Sequence, residues 1–242
     1  EVDTINNVIT ARVLSFSPFV IVVPNQAPVI GGIAPESLVV SVGTPATLTG
    51  TFTDPDLGDT HEAIWQWDKN DPASIAERVP VTGGQAIGTH VYATPGVYEV
   101  ILRVLDAAGA EATRSYQYVV VYDPTGGFVT GGGWINSPAG AYTADPTLTG
   151  KATFGFEAKY KKGANVPEGN TQFRFNAAGF EFKSTSYDWL VVAGAKAQFK
   201  GMGTIAGRPG TYKFMLTAVD GAVNGGGGVD KFRIKIWDAA TD

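Results

Sequence analysis

The sequence predicts an all-β protein of two tandem antiparallel β-sandwich domains, and three observations carry that expectation. Apolar and polar residues alternate in one short segment after another, with "FRF", "FEF" and "FRIKIW" the clearest cases. A period of two turns one face of a pleated strand inward and the other outward. Turn signals rich in Gly, Pro, Asn and Asp separate these segments at short spacing. Composition agrees: 31 Gly, 14 Pro, only 17% charged residues, and no long helical period of Leu, Ala, Glu and Lys. At 242 residues and 44% hydrophobic content, the chain can fill one large or two ordinary cores.

Three segments follow in order: 1–24, 25–123 and 124–242. In the first, "VITARVLSFSPFVIVV" (8–23) reads as two β runs kinked at 15–18, too short to own a core. It reads as the terminal strand segment of a preceding module. Pro24 and Pro28 then bracket Asn25-Gln26-Ala27 as a linker. The chain opens at Glu1 rather than Met, which reads as a mature or excised fragment. The apolar stretch at 16–24 is too short to cross a bilayer, and no run of 18 apolar residues exists, so no membrane insertion is expected in this segment.

The second segment alternates through "SLVVSV" (37–42), "ATLTGTFTD" (46–54), "AIWQWD" (63–68), "GTHVY" (88–92), "GVYEVILRVLD" (96–106) and "ATRSYQYVVVY" (112–122). The turns "VGTP", "DPDLGD", "KNDP", "TGG", "TPG" and "DAAG" lie between them. Short strands at this spacing describe an antiparallel sandwich. Trp65, Trp67, Tyr92, Tyr98 and Tyr116 are expected as core or corner aromatics. The third segment opens with "GGFVTGGGWI" and runs through stretches at 151–160, 171–176, 180–194, 195–205, 210–220 and 230–238, a second all-β domain. Trp134, Trp189 and Trp237 are expected in its core, with the Gly run beside Trp134 allowing close backbone approach. One phrase recurs, "PGVYEVILRVLDAAG" against "PGTYKFMLTAVDGAVNG".

Charge and cysteine content narrow the function classes. With no Cys, disulfides, thiolate metal sites and Cys nucleophiles are excluded. The net charge of −5 is uneven. Residues 1–122 carry 5 Lys and Arg against 13 Asp and Glu, giving −8, and residues 123–242 carry 13 against 10, giving +3. Basic residues scattered among acids are not a nucleic-acid footprint, so no nucleic acid is expected as partner. The Thr/Gly/Val-rich texture favours an extracellular bacterial surface.

At "HVYATPGVYEVILRVLDAAGAEATRSYQYVVVY" the second segment resembles a PKD-type (polycystic kidney disease) domain, whose H-x-Y-x-x-x-G-x-Y-x-V-x-L-x-V-x-D-x-x-G stretch has a counterpart here at every position. "FTDPDLGDTHEAIWQWD" resembles the acidic loop and Trp strand of that family, while "WQWDKND" departs from its W-D-F-G-D-G. The resemblance implies an immunoglobulin-like sandwich that spaces, binds or adheres in surface proteins and secreted enzymes. The third segment, through "GFVTGGGWINSPAGAY", "GKATFGFEAKYKKGANVPEGNTQFRF", "YDWLVV" and "GGVDKFRIKIWD", resembles the post-COAP domain of long bacterial surface proteins, which implies no activity.

Candidate chemistry is sparse. His90 sits in an alternating strand and reads as a half-buried structural residue. His61 follows the acidic loop, but no Ser or Thr stands in a Gly-flanked elbow to make a nucleophile, and no carboxylate pair is marked as catalytic. No enzyme is expected. "GGGWI" lacks a following Lys-Ser/Thr and is no phosphate loop. "KYKKG" (159–163) is a small basic patch or a solvated turn. Calcium suits the loop "TDPDLGDTH" better, because Ca²⁺ takes six to eight hard oxygens. Asp54 and Asp56 flank a Pro turn, and a sandwich would gather the linker, this loop and the "VLDAAG" hairpin at one end. The PKD resemblance implies the metal set Asn25, Asp54, Asp56 and Asp106. Asp59 is an additional candidate or a solvated neighbour, and His61 is not expected as a ligand. The alternative is a polar turn held by Asx hydrogen bonds. Asp220, Asn224 and Asp230 around four glycines read as a flexible hairpin or a second cation loop.

The expectation is therefore a non-catalytic structural or adhesive segment of a large bacterial extracellular or cell-surface protein, rigidified by structural Ca²⁺. Its partners are neighbouring domains of the same chain, with other surface proteins or polysaccharide as further candidates. The alternative is a carbohydrate-binding accessory region of a secreted enzyme.

Overall fold

The computed structural model describes residues 24–241 apart from 57, 77 and 82, together with the backbone of 2–3 and 8–9. Strands β1 (Val2–Asp3) and β2 (Val8–Ile9) form a small antiparallel pair. Beyond residue 9, the β runs expected over 8–23 lie outside the described residues. Elsewhere among the described residues the chain is strand, joined by turns and three single-turn 3₁₀ helices. Among the described residues no helix is long and apolar enough to cross a membrane.

The first unit is an immunoglobulin-like sandwich of two sheets. One sheet is β3 (Val29–Pro35), β5 (Pro45–Thr53) and β8 (Gln85–Val91), with β5 central. The other has β4 (Val39–Ser41), β10 (Glu111–Tyr122), β9 (Gly96–Asp106), β6 (His61–Gln66) and β7 (Val79–Val81) side by side in that order. Leu48 and Phe52 from β5 meet Trp65, Trp67, Val100, Leu102 and Val104 between the sheets. Tyr92 is buried with them, and Tyr98 and Tyr116 pack at the margin. His90 stacks on Trp67 with centroids 5.2 Å apart, and burial pushes its pKa down, which favours the neutral ring.

Strands β3 and β7 have no clear signal in the sequence. "VIGGIAP" carries two glycines and a proline, and a register shift falls at Ile30/Gly32, so its alternation is broken. "VPV" contains Pro80, which is tolerated because β7 is an edge strand.

The second unit makes its sandwich from one sheet folded over. Strands β11 (Phe128–Ser137), β12 (Gly150–Lys159), β13 (Glu168–Phe175), β14 (Phe180–Ala193), β15 (Lys196–Ile205), β16 (Tyr212–Val219) and β17 (Lys231–Asp238) form a continuous antiparallel meander. The sheet curls until Phe154 of β12 stacks on Phe232 of β17, with centroids 3.6 Å apart. Phe182, Phe199 and Phe214 fill the enclosed side. Register shifts at Ser184/Ser186 and Tyr187/Trp189 bend β14, as bulges do, and reset which residues face inward. A groove of about 640 Å³ remains along the open seam, with residues of both β11 and β17 on its walls.

The edge strand β11 corrects one expectation. Gly131 approaches Phe156 so closely that a Cβ would lie 2.6 Å from the ring, so the glycine run does serve close packing. Trp134, however, is 59% exposed and outside the core. It alternates with the inward Gly131 and Gly133, so it faces outward, where Lys151 Nζ lies 5.0 Å from its ring centroid. Trp189 is buried, but on the outer side of its sheet, and Trp237 is half-buried on an outer face.

That outer side of β14 meets the first unit. Val120, Trp189 and Val191 form a buried cluster, joined by Val39, Val97, Tyr122, Ala193 and Met215. Tyr122 packs on Tyr160 at 5.0 Å. Thus "YVVVY" and "DWLVV" are apolar on both faces for one reason: each strand is buried in its own unit and again at the junction. The connection 123–127 is short, and the Asp123 carboxylate accepts hydrogen bonds from Thr125 N and Oγ1 at 2.8 and 2.7 Å.

Candidate metal centre at the acidic pole

Strand β5 ends at Thr53 and β6 begins at His61, so the loop "DPDLGDT" turns the chain over one pole of the first sandwich. Pro55 cannot continue a ladder, and the Asp54 side chain closes an Asx turn, with Oδ1 accepting from Asp56 N at 2.8 Å. The other oxygen, Oδ2, lies 2.8 Å from His61 Nε2. Both side chains are largely buried, and the His61 ring packs on Phe52 at 5.0 Å. His61 also stands opposite Asp106 in the β6–β9 register, which sets the two acidic elements side by side.

Asp106 is 7% exposed and ends β9. Its Oδ1 accepts from Ala110 N at 2.9 Å, closing the "DAAG" hairpin. Its Oδ2 accepts from Asn25 Nδ2 at 2.8 Å. Next along the chain, Gln26 N donates to Asp56 Oδ2 at 2.6 Å. Two carboxylates from different loops therefore strap residues 25–26 to the pole.

The four residues expected from the sequence thus gather here, in two linked groups. Asn25 bonds to Asp106, and Asp54 and Asp56 bond through the turn. Among the described residues, a triplet of Asp54, Asp56 and Asp59 offers one ligand oxygen each, all within 4.8 Å of one another. Asp106 is not part of that triplet. His61, set aside as a ligand, is the direct partner of Asp54, and its place at the start of a strand following the loop was the available signal.

The electrostatics follow from these bonds. The hydrogen bond from His61, then the Asp56 amide, holds Asp54 below the usual carboxylate range, and the nearby Asp106 charge opposes them. The Asn25 amide, then the hairpin N–H groups, holds Asp106 low despite its burial. Both remain ionised at neutral pH. Three carboxylates meet on this turn, and carboxylate oxygens are the hard donors that Ca²⁺ takes. In the Gly-rich loop of the second unit, the carboxylates are turned onto the loop itself. Asp220 Oδ1 accepts from Ala222 N at 2.9 Å, and Asp230 Oδ1 from Gly221 N at 2.8 Å.

Two sheets around a Trp core, with the acidic loop, the β9–β10 hairpin and the incoming linker at one pole, define an immunoglobulin-like sandwich with an acidic pole. The family model of the PKD domain matches residues 25–121. No curated protein matches the chain. Among solved structures, the PKD domain of an M14-like peptidase from Thermoplasmatales archaeon SCGC AB-540-F20 is similar at 23% identity. That similarity covers 40% of this chain and 98% of the other, with a TM-score of 0.35. A structure of carbohydrate-binding modules of the β-sandwich superfamily, solved for their promiscuous specificity, is similar at 14% identity. It covers 89% of this chain and 85% of its own, with a TM-score of 0.33.

Proposed function

We propose that this chain is a non-catalytic, stiff structural segment of a large bacterial extracellular or cell-surface protein. Its units are 25–123 and 124–242, with 1–24 closing a preceding module. The observation that carries this reading is the buried junction of Val120, Trp189 and Val191, reached across a short hydrogen-bonded connection. A spacer transmits orientation only if its units cannot swivel, and an apolar interface resists swivelling better than an exposed linker. Calcium at Asp54, Asp56 and Asp59, beside the Asn25–Asp106 strap, extends the stiffness to the incoming chain. The triplet of ligand oxygens within 4.8 Å supports this site. Calorimetry with calcium and with chelator tests it. Ligand at a hundredfold excess over its Kd stabilises by about 2.7 kcal/mol, so the first unit's melting temperature rises with calcium, and an unchanged transition removes calcium from the reading.

A second reading, a carbohydrate-binding accessory region of a secreted enzyme, is favoured by Trp134 and Phe128, 59% and 68% exposed beside the seam groove. An exposed aromatic presents a flat apolar face to a sugar ring. Trp134→Ala separates the two: it abolishes glycan binding under the second reading and leaves the melting behaviour of the first intact.

A further inference from the structure

The outer face of β15–β17 is walled by cations. In the sheet register Lys196, Val219 and Lys231 form one row across the three strands, and Lys200, Met215 and Lys235 form another. Gln198, Thr217 and Arg233 form the row between them. Lys196 and Lys200 therefore make one ridge along β15, and Lys231, Arg233 and Lys235 make a second along β17. Between the ridges β16 turns Lys213, Met215, Thr217 and Val219 outward, all half-buried. Lys213 stands at the Trp237 end, Met215 reaches the junction cluster, and Thr217 and Val219 are the neutral floor. Two strand spacings set the ridges about 10 Å apart, and alternate residues repeat about every 6.7 Å along each strand.

Four of these five cations are exposed, and among the described residues none of the five has a carboxylate partner. Two of them engage an aromatic face instead: the Lys235 and Lys200 ammonium groups lie 4.9 and 5.9 Å from the Trp237 ring centroid. This arrangement occurs in a chain with more acids than bases, 23 against 18. Like charges on one sheet face repel and oppose folding unless a counter-charge relieves them. The acids at the end of the trough, Asp220 and Asp230, each give an oxygen to the loop's own N–H groups.

We infer that this trough binds an acidic polysaccharide, an extended carboxylated or sulfated chain lying along β16 between the two cationic ridges. The geometry selects among polyanions. A width of about 10 Å takes one extended chain and excludes a nucleic-acid duplex, which presents a major groove of about 12 Å and needs both backbones contacted. Single-stranded nucleic acid is held by successive aromatic platforms, whereas here the floor is aliphatic and Trp237 is flanked by lysines. A membrane surface calls for protruding apolar anchors, whereas Val219 is half-buried and Met215 packs on the junction cluster.

The whole chain is titrated with polygalacturonate and with heparin as probes, against neutral dextran, poly(dT) and vesicles of phosphatidylserine and phosphatidylcholine. Binding is expected for the two acidic polysaccharides, weakening as salt rises. Lys196→Gln/Lys200→Gln and Lys231→Gln/Arg233→Gln/Lys235→Gln should each weaken it roughly tenfold or more, because full charges facing the polymer are lost. Lys159→Gln/Lys162→Gln, basic positions away from the trough, should leave it unchanged. The melting transition of each variant confirms that it is folded, since the substituted side chains lie on outer faces. Absence of binding at low salt overturns the inference. So does equal loss in the control variant, equal binding of dextran, or tighter binding of poly(dT) or vesicles through the same residues. Repeating the titration in chelator separates it from the calcium reading: binding that vanishes without calcium belongs to the acidic pole and overturns the trough.

Discussion

In the first unit, Lys69 is held by Glu99, Arg78 by Glu62, Arg103 by Glu111, and Arg114 by the carbonyl of Ile30. In the second unit, Lys196, Lys200, Lys231, Arg233 and Lys235 share a sheet face with no acid on it. The contrast is confined to β15–β17, since elsewhere in the second unit Lys161 pairs with Glu168 and Arg174 with Glu181. The first unit spends its acids locally, on caps, turns and the strap at its pole. The second turns the outside of its sheet outward in two ways: an apolar stripe on β14 against the first unit, and a cationic face on β15–β17 toward solvent.

The strongest way to break this comparison is to remove the stripe. Trp189→Ala deletes a buried ring at the junction and should cost about 3–5 kcal/mol, the usual cost for a large aromatic. Calorimetry should then resolve two transitions, whereas the parent chain is expected to melt as one coupled unit. A single unshifted transition would show that the units are not coupled through Trp189.

A change confined to the second unit comes next. A Cβ at Gly201 would lie 2.1 Å from Ser186 O and 2.9 Å from Phe214 Cε1, where β15 passes the bends of β14. Gly201→Ala should cost about 1–3 kcal/mol through forced backbone displacement. Denaturant melts followed by a probe in each unit should show the second unit shifting and the first holding.

The smallest effect sharpens the contrast from the other side. Asp54, Asp106 and Glu99, all in the first unit, sit below their ordinary values of 3.8, 3.8 and 4.5, through His61, Asn25 and Lys69 respectively. A depressed carboxylate stabilises fully above its unfolded pKa and loses that contribution as pH falls through its folded value. In the second unit Asp145 is held low, by Thr147. Mild acidification below about pH 4 should therefore lower the first unit's transition more than the second's, by a small margin because these are partly solvated groups. Equal shifts would count against the strapped pole.

Much of this architecture was legible in the chain. "GVYEVILRVLD" is β9 residue for residue, and the stretch expected at 180–194 is β14 to within one residue. Alternation read well wherever one face met a core and the other met water. It failed where that assumption failed: at β3, broken by Gly31 and Gly32, and at Trp134, whose outward side follows from register against glycines. The site was legible as a gathering of loops at one pole. Its pairings were not, because the His61–Asp54 bond and the division into strap and triplet depend on distances that spacing cannot supply.

The sequence by itself determined two all-β units, most of their strands, and the acidic loop at the end of one of them. Period-two patterning and turn chemistry are local, so they survive in one dimension. Tertiary structure alone decided that "VVV" and "WLVV" face each other, that Asp59 joins Asp54 and Asp56 in a triplet beside the Asn25–Asp106 strap, and that five separated cations line one trough. Each of those facts joins residues far apart in the chain, and only strand register and sheet curvature bring such residues to one place.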